Sequence, residues 1–88
     1  MNIIIIGCGK IGSTLAEQLN HEDHNITIVD TQEKVVNNLA MDLDVIGVNG
    51  NGAILSVQKE AGLESADLLI ATTGSDELNM LICLIAKK

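Results

Sequence analysis

The chain has 88 residues, 47% of them hydrophobic, and no Phe, Trp, Tyr or Pro. One small domain fits that length, with a core built from Ile, Leu, Val, Ala and Met; β-branched residues among these favour a central sheet. A formal charge of −7, with no Arg and scattered Lys, would repel a polyphosphate backbone, so no nucleic-acid partner is expected.

Asn2–Ile6 reads as the first strand. Its apolar run lacks polar alternation, as in a parallel strand covered on both faces. Gly7-Cys8-Gly9-Lys10-Ile11-Gly12 follows as a glycine-rich turn, and a helix is expected from Lys10 to Asn20 with Ile11, Leu15, Ala16 and Leu19 inward. His21-Glu22-Asp23-His24 is a polar connection. Its two histidines lack a third ligand of defined geometry and read as solvated loop residues rather than a metal pair. Strand two spans Asn25–Asp30. Asp30 or Thr31 can cap the next helix, whose inward residues are Val35, Val36, Leu39 and Ala40.

Asp44–Asn49 is expected as strand three, followed by the loop Asn49-Gly50-Asn51-Gly52. Helical spacing of Ile54, Val57 and Ala61 argues for a short helix after this loop and against a hairpin, with Gly62 as its stop. Strand four is expected at Ala66–Ala71. Thr72-Thr73-Gly74-Ser75 then leads into a helix from Asp76 to about Lys87. On that helix Leu78, Leu81, Ile82 and Ile85 form one apolar face, and Met80, Cys83 and Leu84 another. Two apolar faces call for two partners, the sheet and something beyond it.

The predicted fold is therefore α/β: a Rossmann-like, doubly wound parallel sheet in three layers, with four β-α units and strand order 3-2-1-4. Residues 1–88 read as a single domain, truncated after the fourth unit, which leaves strand four as an open apolar edge. Cys8 and Cys83 form no disulfide framework, consistent with a reduced intracellular chain. The Ile3–Ile6 run is too short for a secretory leader. Leu78–Ala86, interrupted by Asn79, is too short for a bilayer core of about 30 Å, so no direct membrane insertion is expected.

Strand, glycine turn, helix, strand and terminal acid together outline an adenine-dinucleotide pocket. In this reading Gly7 permits the turn, Gly9 admits the pyrophosphate, and Gly12 lets the helix pack on the sheet. The helix N-terminus and Lys10 supply positive charge. Asp30 would accept hydrogen bonds from both ribose hydroxyls and repel a 2′-phosphate, favouring NAD(H) over NADP(H); helix capping is a compatible role. Asn51 and Gly52 reach the adenine edge or serve turn chemistry alone. Thr72, Thr73 and Gly74 line the crevice beside strand one, with helix capping the simpler role for their loop. The candidate cofactor-binding set is thus Gly7, Cys8, Gly9, Lys10, Ile11, Gly12, Asp30, Thr31, Asn51, Gly52, Thr72, Thr73 and Gly74. Cys8 itself reads as a small, buried, inert thiol rather than a redox-sensitive one. No catalytic or metal-ligating residue is assigned.

Several stretches resemble the TrkA-type potassium-uptake regulators and their N-terminal RCK or KTN domain. They are Ile3 through Ala16, Asn25 through Asp30, Glu60-Ala61-Gly62 with Ala66-Asp67, and above all Ala71-Thr72-Thr73-Gly74-Ser75-Asp76-Glu77-Leu78-Asn79-Met80. The resemblance spans the chain. It implies a cytoplasmic regulatory domain that binds NAD(H), or ATP and ADP, and forms homodimers and rings beneath a membrane potassium transporter subunit. Ligand contacts are implied at Gly7, Gly9, Lys10, Asp30, Asn51, Gly52, Thr72 and Thr73. Lys10 stands where the family often has Arg, which removes bidentate phosphate binding. The competing reading is the cofactor half of an NAD-dependent oxidoreductase. It shares the glycines and Asp30 but lacks a proton-relay candidate and does not account for Thr72–Met80.

Overall fold

Ile3 to Ile6 form the centre of a four-stranded parallel sheet in the computed structural model, which describes residues 1–87. The chain runs β1 (Asn2–Ile6), α1 (Lys10–Asn20), β2 (Asn25–Asp30), α2 (Glu33–Asp42), β3 (Ile46–Asn49), α3 (Leu55–Glu60), β4 (Leu68–Ala71) and α4 (Asp76–Ala86). Spatial order is β3-β2-β1-β4, so β1 has a partner on each side. Ile5 pairs with Ile28 and Ile70, and Ile6 with Val29 and Ala71. Asp30 pairs with Asn49 at the outer end of β2 and β3.

Alternation along β1 sends successive isoleucines to opposite faces. Ile3 and Ile5 join Ile26 and Ile28 beneath α1 and α2, packing against Ala16, Leu15, Leu19, Val35 and Leu39. Ile4 and Ile6 join Val29 and Val48 on the other face, against Val57, Ala61, Leu78 and Ile82 of α3, α4 and their flanks. Both faces are therefore dry, which is why Ile3 to Ile6 run without a polar residue; Asn2, the one polar position of β1, stands at its less buried start. Each buried Ile contributes about 1.5–3 kcal/mol relative to an exposed one.

Several expectations shift at the periphery. β3 starts at Ile46 rather than Asp44, because Leu43 leaves α2 in an extended conformation and the chain reaches β2 only at Thr27–Ile46. A 3₁₀ turn at Leu63–Ser65 was not anticipated; it ends as Ala66 N–H donates to the Leu63 carbonyl, so β4 starts at Leu68 rather than Ala66. α4 ends at Ala86, with Lys87 as its cap.

Two residues expected inward are exposed, and one apolar face of α4 divides. Ile11, in the first turn of α1, is 68% exposed, while Gly12 and Ala16 are the buried residues of that helix. Ala40 is exposed, its Cβ standing over the edge strand at Gly47. On α4 the inward stripe is Leu78, Ile82 and Ile85, while Leu81 is exposed with Met80, Cys83 and Leu84. Leu68 on β4 is exposed as well. Among the described residues no helix is long and apolar enough to cross a membrane.

Candidate functional site

Because every strand is parallel, all four carboxyl ends meet at one edge of the sheet. There the loops after β1, β2, β3 and β4 surround a cleft of about 280 Å³ at the crevice where strand order reverses. Its walls include Gly7, Gly9, Asp30, Thr31, Asn51, Gly52, Thr72, Thr73 and Gly74.

Gly7 turns the chain off β1 with φ +92°, a conformation L side chains rarely adopt. A Cβ there would stand 2.7 Å from the Thr73 nitrogen. Gly12 lies under the same turn, where a Cβ would collide with the Gly7 carbonyl oxygen. Thr72 Oγ1 donates to that oxygen at 2.7 Å, joining the loops after β1 and β4. Gly9 differs: no atom lies within 4 Å of the place a Cβ would occupy. Beyond it the first amides of α1, at Lys10, Ile11 and Gly12, have no intrahelical acceptor by helix geometry. An anion laid over Gly9 would meet those groups and the positive end of the helix dipole.

Asp30 closes the other side. Its Oδ2 accepts from the Cys8 amide at 2.7 Å and its Oδ1 from the Gln32 amide at 2.9 Å. These bonds occupy about half of the carboxylate's four or so lone-pair sites and leave the rest able to accept from a further donor. The helix-capping role proves to be indirect: Gln32 occupies the cap position of α2, and Asp30 braces the turn before it. Thr31 is exposed at the cleft margin.

Asn51 Oδ1 accepts from the Ala53 amide at 2.9 Å, the side-chain turn considered above. Its Nδ2 group donates to no acceptor among the described residues. Gly52 packs onto Ile6 so closely that a Cβ would collide with Ile6 Cγ2. Thr73 Oγ1 is enclosed by its own loop: it lies 2.6 Å from Asn79 Oδ1 and 3.1 Å from the Ser75 carbonyl, and accepts from the Ser75 amide. Both threonine hydroxyls are thus engaged by protein groups, and the main chain of Thr72–Gly74 forms the wall. Ser75 caps α4 by accepting from the Leu78 amide at 3.2 Å.

Four of the candidate residues do not line the cleft. Lys10 and Ile11 are exposed, and Gly12 is buried beneath the turn. Cys8 points into the α1–α2 face of the core, with its thiol directed at the Val29 carbonyl 3.9 Å away. Burial, reinforced by the Asp30 charge, pushes that thiol up to about 12. Conversely, Ile6, Val29, Gly50, Leu78 and Ile82 line the cleft and were not anticipated. The signal existed in their positions: each stands at a strand tip, in a strand-tip loop or on the inward face of α4.

His24 is occupied away from the cleft, its Nδ1 accepting from the amino terminus at 3.1 Å. Among the described residues, no group of three or more His, Cys, Asp or Glu side chains could hold a metal ion.

A parallel 3-2-1-4 sheet with a glycine turn and an acid at one crevice defines a Rossmann-type domain. The chain belongs to the TrkA-N domain family, whose pattern matches residues 3–88. It is 46% identical over 86 residues to the Trk system potassium uptake protein TrkA of Halomonas elongata, covering 98% of this chain and 19% of that one. It therefore spans about a fifth of that relative's length. The TrkA-N domain of the inner membrane protein ybaL from Escherichia coli superposes with a TM-score of 0.90 at 29% identity, over 98% of this chain and 63% of that one. The Kef C-terminal domain of Shewanella denitrificans in its AMP-bound form shares the fold, with a TM-score of 0.86 at 21% identity, over 99% of this chain and 52% of that one.

Proposed function

We propose that this domain binds an adenine nucleotide in the strand-tip cleft and regulates a potassium-uptake system rather than catalysing a reaction. The convergence of the Gly7–Gly12 turn and the Asp30 carboxylate on one cleft carries this reading. Pyrophosphate would lie over Gly9 against the first amides of α1. The ribose next to adenine would bond Asp30, and the base would lie towards Asn51 and Gly52.

NAD(H) is the proposed ligand, with ATP and ADP as alternatives, since an acid after β2 suits any ribose without a 2′-phosphate. The fold neighbour solved with AMP supports an adenine-nucleotide ligand, and the Trk system name of the Halomonas relative supports the potassium-uptake role. A cleft lined by glycines, aliphatic residues, two engaged threonines and one braced carboxylate suits holding a ligand more than turning one over.

The whole protein would act at the cytoplasmic side of a membrane potassium transporter subunit. A nucleotide would shift its state only by binding two conformations unequally. The apolar outer face of α4, with Met80 67% and Leu84 57% exposed, is proposed to pair with a second copy in a homodimer or larger ring. Parallel calorimetric titration with NADH, NAD⁺, ATP, ADP and NADPH tests the ligand. Binding of at least one of the first four, with NADPH weaker than NADH, is expected. Heat from none of them would overturn the reading, as would substrate turnover by this chain. A monodisperse monomer in light scattering would remove the pairing.

A further inference from the structure

Gln58, on α3, is the one polar side chain in the buried core among the described residues, with 0% of its surface exposed. Its Nε2 donates to the Gly52 carbonyl at 2.8 Å and to the Ile82 carbonyl at 3.1 Å. No protein donor reaches its Oε1. The orientation of the amide follows from its surroundings: two carbonyl oxygens face one end, so that end must be the NH₂ group. Gly52 and Ile82 both line the cleft, on opposite elements, the loop after β3 and the middle of α4.

Filling space does not explain this residue. An apolar side chain of similar volume would occupy the same place and leave no oxygen unpaired. The difference lies in what the NH₂ group holds. The Ile82 carbonyl sits within a helix that already supplies it a partner. The Gly52 carbonyl is in a loop, and Gln58 is the donor that the described structure gives it. Without that donor, the backbone pressed onto Ile6 is free to lift, and it takes the adjacent Asn51 with it.

A second tie reaches α4 from the other wall. Asn79 accepts from the Thr73 amide at 2.8 Å and returns a bond from Nδ2 to the Thr73 carbonyl at 3.3 Å. The loops after β3 and β4 are thus each fastened to α4 by one amide side chain.

We propose that Gln58 is a positioning residue of the cleft: its buried NH₂ group fastens the Asn51–Gly52 turn to α4 and so holds the wall against which the base of a bound nucleotide lies. This rests on the nucleotide reading given above. It makes the placement of Asn51 dependent on α4, and the placement of α4 sensitive to occupancy.

The test compares wild type with Gln58→Leu, and with Gln58→Met should the Leu variant fail to fold. Three readouts are taken: calorimetric affinity for NADH and ATP, amide exchange at Ala53 and Ile54 relative to α1, and the urea midpoint. A folded variant with a urea midpoint close to wild type, at least tenfold weaker nucleotide binding and at least tenfold faster exchange confined to the turn is expected. Wild-type affinity together with unchanged exchange in a folded variant would overturn the role of Gln58 and leave the nucleotide reading intact. Loss of affinity that only tracks a lowered urea midpoint, with exchange faster everywhere, would overturn it too. Absence of nucleotide binding by the wild-type chain would overturn the nucleotide reading itself and this proposal with it.

Discussion

The Cys8 amide donates to the Asp30 carboxylate at 2.7 Å, so the tip of β2 is latched to the turn that leaves β1. One bond therefore joins the two features that define the cleft, the glycine turn and the acid. It also sets the direction in which the carboxylate faces, since the Gln32 amide holds its second oxygen.

Replacing Asp30 by Ala removes both braces and the proposed ribose acceptor. NADH binding is expected to weaken by about 1–3 kcal/mol, the range for lost hydrogen bonds to a charged group. The gap between NADH and NADPH should narrow, because the charge opposing a 2′-phosphate has gone. Calorimetry with both ligands measures this, and an unchanged NADH affinity would take Asp30 out of the site.

Two glycines in the same turn should fail in different ways. Gly12→Ala drives a Cβ into the Gly7 carbonyl, so stability should drop by about 1–3 kcal/mol, as in an overpacked core. Gly9→Ala meets open space, and its fold should stay within about 0.5 kcal/mol of wild type. Its methyl group would instead stand where the proposed pyrophosphate would lie, and nucleotide affinity should suffer. Urea titration and calorimetry on the pair separate the two roles; equal loss of stability in both would contradict the geometry.

The two thiols should be distinguishable by alkylation. Cys83 is exposed on α4, whereas Cys8 is buried with its thiol pushed up to about 12. At pH 8 iodoacetamide should label Cys83 quickly and Cys8 only in urea, which peptide mass mapping would reveal.

The same shift has a consequence for stability. From an ordinary value near 9.0, the unfolded chain releases the Cys8 proton before the folded chain does. Stability is therefore unaffected by this group at neutral pH and erodes as pH rises from about 9 towards 12. Lysines titrate in the same range, so the comparison needs Cys8→Ala. Its urea midpoint should fall less between pH 8 and pH 10.5 than that of wild type, and parallel decline would dismiss the effect.

Ser75→Ala should cost about 1 kcal/mol by leaving the Leu78 amide uncapped. Circular dichroism on thermal unfolding would register it; a shift in the stabilising direction would argue that the cap does not form in solution.

The order of elements and the 3-2-1-4 sheet were legible in the chain because their signals are local and repeated. An unbroken isoleucine run, a glycine turn, and helical spacing after each strand leave few other ways to bury both faces of β1. Asp30, Asn51 and Thr72 could be placed at one edge for the same reason, since parallel strands put all their carboxyl ends together.

Other features depend on what lies across from a residue, which periodicity along one helix does not contain. Ile11, Ala40 and Leu81 all belong to apolar stripes, yet each is exposed, Ala40 even though its Cβ stands over Gly47 of the edge strand. Lys10 has the right neighbours in sequence, but its exposed side chain is not part of the cleft wall. Gln58 gave no hint of its place, since a lone Gln on a six-residue helix reads as solvated. Packing of α3 between the loop after β3 and α4 makes it a buried donor to Gly52 and Ile82. Chain order could reveal the strands, turns and chemistry available to the cleft; distances between separate elements, which arise only when both sheet faces are covered, govern which of those groups meet there.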